Sequence, residues 1–239
     1  MIFRNVYEDS RRADAYAQLE FPGTYYLAFR DLPRIITEYV TGKKALDFGC
    51  GAGRSTRFLR QLGLDAIGVD ISESMIHRAR ESDPQGDYRL AEDDGSVSLP
   101  AATFDLVLSA FTFDNIPTAE KKIALFTGLA TVLRDGGCLI NLVSSPEIYT
   151  HEWLSFTTKD FPENRDAKSG DLVRIIMTDV EDRRPVEDVL WTDEPYRGVY
   201  AASGLKVVET LKPLATQGEV HDWVNETRIA PWVIYVLQR

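Results

Sequence analysis

The chain has 239 residues, 44% of them hydrophobic and 27% charged, and a formal net charge of −10. That length buries a sizeable core in one domain, and the acidity repels phosphate backbones, so no nucleic-acid partner is expected. No apolar run approaches the roughly 18 residues of a membrane span, so no membrane contact is expected.

The opening residues, MIFRNVYEDSRRADAY, lack the apolar centre of a secretory leader. The two cysteines, Cys50 and Cys138, form no CxxC pair, and none of the three histidines has metal-ligand spacing. A reduced, cytoplasmic protein without a metal is expected.

In chain order, residues 10–20 and 29–41 carry helical patterns, and FPGTYYLAF between them reads as a turn rich in aromatics. KKALDF (43–48) is a first predicted strand. RSTRFLRQL follows as a helix with Phe58, Leu59 and Leu62 on one face. LDAIGVDI is a second strand, and SESMIHRARE a helix with Ser72 as N-cap and Met75, Ile76 and Ala79 inward. GDYRLAE and FDLVLSAF are the third and fourth strands. TAEKKIALFTGLATVL is a helix with Ile123, Phe126, Ala130 and Leu133 on one stripe, and GGCLINLV is the fifth strand. Such alternation means βαβ units and a parallel sheet with helices on both faces.

The pattern then changes. Residues 146–203 intervene before the sixth strand, GLKVVETL, which is far longer than an ordinary βα link. Within them HEWLSF reads as helical, LVRIIMTD and VEDVLW as strands joined by the polar VEDRRP, and EPYRGVYAAS as a helix closing on Gly204. An insertion at the ligand-facing edge of a parallel sheet is a candidate substrate cover. APWVIYVLQR is the seventh strand. Arg54, Arg57 and Arg60, at i, i+3 and i+6, read as a solvated helix face.

ALDFGCGAGRSTRFL (45–59) sets Gly49, Gly51 and Gly53 between the first strand and its helix. Glycines there let the backbone approach a ligand, and the helix start offers N–H groups and a positive dipole end. The spacing is G-x-G-x-G, not the G-x-G-x-x-G of dinucleotide sites. Asp47, two residues before the first glycine, is unfavourable to a pyrophosphate and suits an amino group. Asp70, ending the second strand, is placed to accept hydrogen bonds from ribose hydroxyls. The two acids together suggest a nucleoside with a cationic amino-acid tail.

LDFGCGAGRSTRFL, IGVDISESMI, AEDDGSVSLP, FDLVLSAF and VLRDGGCLIN resemble, in that order, the motifs of class I S-adenosylmethionine-dependent methyltransferases. The resemblance covers about residues 40–145 closely and the last two strands more loosely. It implies an α/β, Rossmann-like fold: a seven-stranded, mostly parallel sheet in the order 3-2-1-4-5-7-6, the last strand antiparallel, with helices on both faces and an insertion after the fifth strand. The organisation expected is one domain, 1–239. It comprises an N-terminal helical cover (1–42), a cofactor-binding core (43–145), the insertion (146–203) and the last two strands (204–239).

The cofactor implied is S-adenosyl-L-methionine. By the resemblance, Gly49, Cys50, Gly51 and Gly53 would line its methionine part, and Asp47 would help hold its amino group, directly or through water. Asp70 would take the ribose diol, Ile71 would pack on adenine, and Asp93 or Asp94 would meet the adenine amino group. Ser109 and Ala110 would face the methionine side, and Tyr25, Tyr26 or Arg30 would meet its carboxylate.

Such transfer is an in-line displacement in which the cofactor carries the hard chemistry. The protein must align the groups and exclude water, and a base is needed only for a protonated, weakly nucleophilic acceptor. The histidine that follows the fourth strand in many small-molecule relatives is replaced here by AFTFDNIP. The catalytic group stays open among Asp114 (with Asn115), Tyr149 and His151. His77 reads as a helix-surface residue and His221 has no assigned place. Trp153, Trp191, Tyr196 and Tyr200 are candidates for an apolar acceptor pocket.

The function expected is methyl transfer to O or N of a small-molecule metabolite, giving S-adenosylhomocysteine. One alternative is an S-adenosylmethionine-binding protein that lacks small-molecule transferase activity or acts on a protein partner. Another, disfavoured by the glycine spacing, is an NAD-dependent oxidoreductase. Nothing in the pattern sets the acceptor or the oligomeric state.

Overall fold

A computed structural model describes residues 21–92 and 99–239. The helical pattern at 10–20 and the acidic pair Asp93 and Asp94 lie outside the described residues.

The first element among the described residues is a helix, where the sequence reads as a turn. Helix α1 (Thr24–Arg30) covers most of FPGTYYLAF. Gly23, at φ 50°, supplies the left-handed turn that starts it. Tyr25, Leu27, Ala28 and Phe29 are then buried along it. The Pro-Gly pair resembles a turn locally, but packing of these side chains on the core decides the outcome. Helix α2 (Leu32–Tyr39) follows at once, with Pro33 in its first turn.

Next come β1 (Lys44–Phe48), α3 (Arg54–Gln61), β2 (Asp65–Asp70), α4 (Glu73–Ser82) and β3 (Asp87–Leu90). Strand β4 (Phe104–Ala110), α5 (Ala119–Val132) and β5 (Leu133–Ser144) complete the alternating part. Ser72 caps α4 by accepting from Met75 N–H, and Thr118 caps α5 by accepting from Lys121 N–H.

Residues 146–203 contain β6 (Phe156–Thr157), β7 (Leu172–Met177), β8 (Val186–Val189) and α6 (Asp193–Ala202). HEWLSF is not helical: it bends and leads into β6, because Trp153 N–H bonds Phe156 C=O and its indole N–H bonds Ile148 C=O. The chain ends with β9 (Lys206–Leu211) and β10 (Trp232–Gln238).

The main sheet has the order β3-β2-β1-β4-β5-β10-β9, with β10 antiparallel to both neighbours. Counting strands of this sheet alone, that is the expected 3-2-1-4-5-7-6. Period-two alternation splits β4 between two cores. Leu106 and Leu108 face the layer of α1, α2 and the insertion, while Val107 faces the layer of α5 and α6. The antiparallel sheet β6-β7-β8 sends Phe156, Val173, Ile175 and Met177 into the first core. No helix among the described residues is long and apolar enough to cross a membrane.

One buried carboxylate ties the cover together. Glu226 is fully buried between α1, the insertion and the segment before β10. One oxygen accepts from Thr24 Oγ1 at 2.7 Å and Leu154 N–H at 2.8 Å, and the other from Val224 and Asn225 N–H at 2.8 and 3.0 Å. Such a site compensates the desolvation of the charge.

Candidate active site

The glycine loop leaves β1 by borrowing the end of β2: Gly49 and Cys50 N–H both bond Val69 C=O. The three glycines sit at φ 76°, 53° and 81°, so each needs the left-handed region that other residues resist. Their surroundings differ. A Cβ on Gly49 would fall 2.0 Å from Thr112 Oγ1, and one on Gly53 2.7 Å from the Tyr88 ring. A Cβ on Gly51 would meet nothing within 4 Å. Gly51 is therefore the glycine that borders open space. Cys50 turns its side chain inward to Ile76, Ala79 and Tyr88, where burial pushes its thiol pKa well up. Only its backbone belongs to the loop.

Asp70 holds the loop from the neighbouring strand. Its two oxygens accept Gly51 N–H and Ser72 N–H, each at 2.8 Å. Burial raises its pKa, and those N–H donors work against the rise. Ile71 beside it is exposed. Asp47 is fully buried, and one oxygen accepts from Ser55 and Thr56 hydroxyls at 2.6 Å each. Its other oxygen, Oδ1, has no hydrogen-bond partner among the described residues. Burial pushes this carboxyl to about 6, with the Asp70 charge adding to the rise and the two hydroxyls opposing it. An orphaned buried acceptor on the strand that leads into a loop with an open glycine fits the cationic amino group and close backbone approach of S-adenosylmethionine.

The loop is joined to a second feature at the end of β4. Phe111 adopts φ 64°, a left-handed conformation rare outside glycine. Thr112, next to it, donates to Phe48 C=O at 3.0 Å and fills the space under Gly49. Phe111 itself lines a pocket of about 430 Å³, open mouth included, whose apolar wall contains Tyr25, Phe156, Met177 and Trp232. Its polar lining includes Asp114, Asn115, Ser144, Tyr149 and Asp188.

Asp114, in the 3-10 turn after β4, accepts Ser144 N–H with both oxygens, at 3.3 and 3.0 Å. Tyr149 donates to Asp188 Oδ2 at 3.0 Å, and burial raises the phenol pKa well above its ordinary value. Behind Asp114, Lys122 is fully buried on α5, donates to Phe113 C=O, and lies 4.8 Å from the Trp191 ring and 5.1 Å from the Tyr196 ring. Burial raises the Asp114 pKa and lowers that of Lys122, while the attraction between the two opposes both changes.

Asp114, Asn115 and Tyr149 thus meet in one pocket. His151 lies outside it, its ring nitrogen beside Thr150 Oγ1 and Glu147 C=O. Trp153 is buried against the Ile148 carbonyl, and Trp191, Tyr196 and Tyr200 pack in the α5–α6 layer. None of these four lines the pocket. Arg30 is committed to Asp31 and Glu219, and Tyr26 packs against His221 and Trp223. Ser109 is fully buried on the α5–α6 face, opposite to Asp47 and Ala110.

The arginine cluster is occupied rather than merely solvated. Arg54 lies over the Phe21, Tyr25 and Phe29 rings, Arg57 donates to Ala52 C=O, and Arg60 pairs with Asp83. Sequence reasoning missed Asp188, Lys122 and Trp232. For Asp188 a signal was present: Val186, Asp188 and Leu190 share one face of a predicted strand, and the first and last are core residues.

A family model described as a methyltransferase domain matches residues 46–141. N-demethylindolmycin N-methyltransferase of Streptomyces griseus is 28% identical over 211 residues, 86% of this chain and 88% of that protein. The 18S rRNA (guanine-N(7))-methyltransferase of Bos taurus is 28% identical over 184 residues, 64% of each chain. The chain spans half or less of several other curated relatives it matches. The solved structure of an S-adenosylmethionine-dependent methyltransferase from Mesorhizobium loti shares the fold. Its TM-score is 0.62 at 20% identity, over 89% of this chain and 98% of that one.

Proposed function

We propose that this chain is a class I S-adenosylmethionine-dependent methyltransferase and that it methylates N or O of a small molecule held in the pocket of Tyr25, Phe111, Asp114, Tyr149 and Trp232. The observation that carries the reading is the contact between the glycine loop, at Gly49, and the segment that lines the pocket. Thr112 packs beneath the glycine loop and the adjacent Phe111 lines the pocket wall.

When bound, S-adenosylmethionine supplies a methyl group already activated by a sulfonium. Gly51 lets the donor approach the backbone, Asp70 takes the ribose diol, and Asp47 holds the amino group directly or through water. Residues 146–203 cover the acceptor and keep water out, which strengthens the polar contacts inside. Asp114 and Tyr149, rather than His151, are the groups positioned to orient the acceptor. The cytoplasm is the proposed location.

A small acceptor is favoured over a nucleic acid, even though one relative is named for rRNA. The net charge is −10, and Arg54, Arg57 and Arg60 are engaged within the chain. The test is incubation with S-adenosylmethionine carrying a trideuterated methyl group and a small-metabolite extract. The expected result is one or a few metabolites bearing the labelled methyl, with stoichiometric S-adenosylhomocysteine. Donor binding without labelled product from small-metabolite extracts counts against this function.

A further inference from the structure

The pocket's charges and walls narrow the acceptor further. Its two acidic side chains come from distant elements: Asp114 follows β4 and Asp188 lies on β8. The cation near them, Lys122, does not line the pocket; it is enclosed by the Phe113 carbonyl and the Trp191 and Tyr196 rings. The same pocket is lined by the rings of Tyr25, Phe111, Phe156 and Trp232. Carboxylates facing aromatic walls recognise an organic cation through charge and through the ring faces. A carboxylate acceptor would be repelled by both acids. An alcohol would need a stronger base than a carboxyl group.

Resting on the methyl-transfer reading, we propose that the acceptor is an amine with an apolar body that enters as its ammonium ion, and that Asp114 takes its proton. The step balances. The ammonium gives one proton to the Asp114 carboxylate, leaving a neutral amine. The nitrogen lone pair then forms the new N–C bond while the donor's C–S bond breaks with its electron pair on sulfur. The product is a methylated ammonium and a neutral thioether, and the Asp114 proton leaves to solvent with the next exchange.

Burial supports the role, since it makes Asp114 a better base than an exposed aspartate. The groups that face it are Ser144 on β5, Lys122 on α5, Tyr149 after β5, Tyr196 and Tyr200 on α6, and Asp188 on β8 through Lys122 and Tyr149. Among these, Lys122 is the one cation. It opposes the rise in Asp114.

The test uses the wild-type chain, trideuterated-methyl S-adenosylmethionine and three probe pools on the same aryl and alkyl skeletons. The pools are primary and secondary amines, alcohols and phenols, and carboxylic acids. Label is expected in the amine pool alone. Label in either other pool, or an unlabelled amine pool with a chain that binds the donor in calorimetry, overturns the proposal. Failure of the wild-type chain to bind the donor would instead count against the methyl-transfer reading. With the best amine, Asp114→Asn should lower kcat/KM by about 100-fold or more, with donor affinity unchanged and the fold intact by circular dichroism. An unchanged kcat/KM in a folded variant removes Asp114 as the base. The pool comparison decides the acceptor class even if that variant does not fold.

Discussion

Gly51 and Gly53 are two residues apart in one loop, yet a methyl group would affect them differently. At Gly51 an added Cβ meets nothing within 4 Å, so Gly51→Ala should fold, with a cost of about 1–2 kcal/mol for a left-handed alanine. That Cβ would occupy the space proposed for the donor, so affinity for S-adenosylmethionine should fall at least tenfold in calorimetry. Gly53→Ala should do the reverse. Its Cβ would lie 2.7 Å from the Tyr88 ring, and Tyr88 is buried, so the melting temperature should drop more than for Gly51→Ala. Equal melting temperatures with equal donor affinities would refute the assignment of Gly51 as the ligand-facing glycine. The G-x-G-x-G spacing and its two acids were legible because strand, loop and helix are local. Which glycine faces a ligand was not, because that depends on Thr112, from the turn after β4, and Tyr88, from β3, which reach the loop from distant parts of the chain. Cys50 and Ser109 show the same limit: strand and loop position were readable, but not which layer each side chain enters.

At the scale of elements, the cover hangs on Glu226. Its carboxylate gathers α1 through Thr24, the insertion through Leu154 and its own segment through Val224 and Asn225. Glu226→Ala would leave the buried Thr24 hydroxyl and three part-buried N–H groups without this acceptor, at roughly 1–3 kcal/mol for each that water cannot reach. The expected outcome is a lower melting temperature together with faster proteolytic cleavage within residues 150–190, while the Rossmann-like core resists. Uniform cleavage over the whole chain would mean that Glu226 supports global stability and not the cover. The core elements were readable because each carries its own period, 3.6 or 2, in consecutive residues. The cover was not. The Phe21–Phe29 stretch passes for a turn until Tyr25 and Phe29 find the core, and HEWLSF passes for a helix until Trp153 finds two carbonyls. Neither signal lies within the segment that it folds.

Among the described residues three buried carboxyl groups have pKa values that burial raises, Asp47 to about 6 and Asp70 and Asp114 in the same direction. An unfolded aspartate titrates near 3.9. Between roughly pH 4 and 6 the folded chain therefore holds protons that the unfolded chain has released, so stability falls as pH rises through that window. For Asp47 alone a shift of about two units corresponds to about 3 kcal/mol. Glu152, Asp193 and Glu219 are lowered instead and act with the opposite sign. They are part-exposed, so their share is smaller. Lys122, lowered by burial, adds stability with rising pH only above the window. The free protein should thus melt higher at pH 5 than at pH 7. The donor reverses the balance. An amino cation held at Asp47 favours the ionised carboxylate, so binding should weaken as pH falls through about 6, by up to about tenfold per unit. The rise in melting temperature produced by saturating S-adenosylmethionine should therefore shrink between pH 7 and pH 5. A ligand-induced rise that stays constant over that range, with the free protein behaving as expected, would place the amino group away from Asp47.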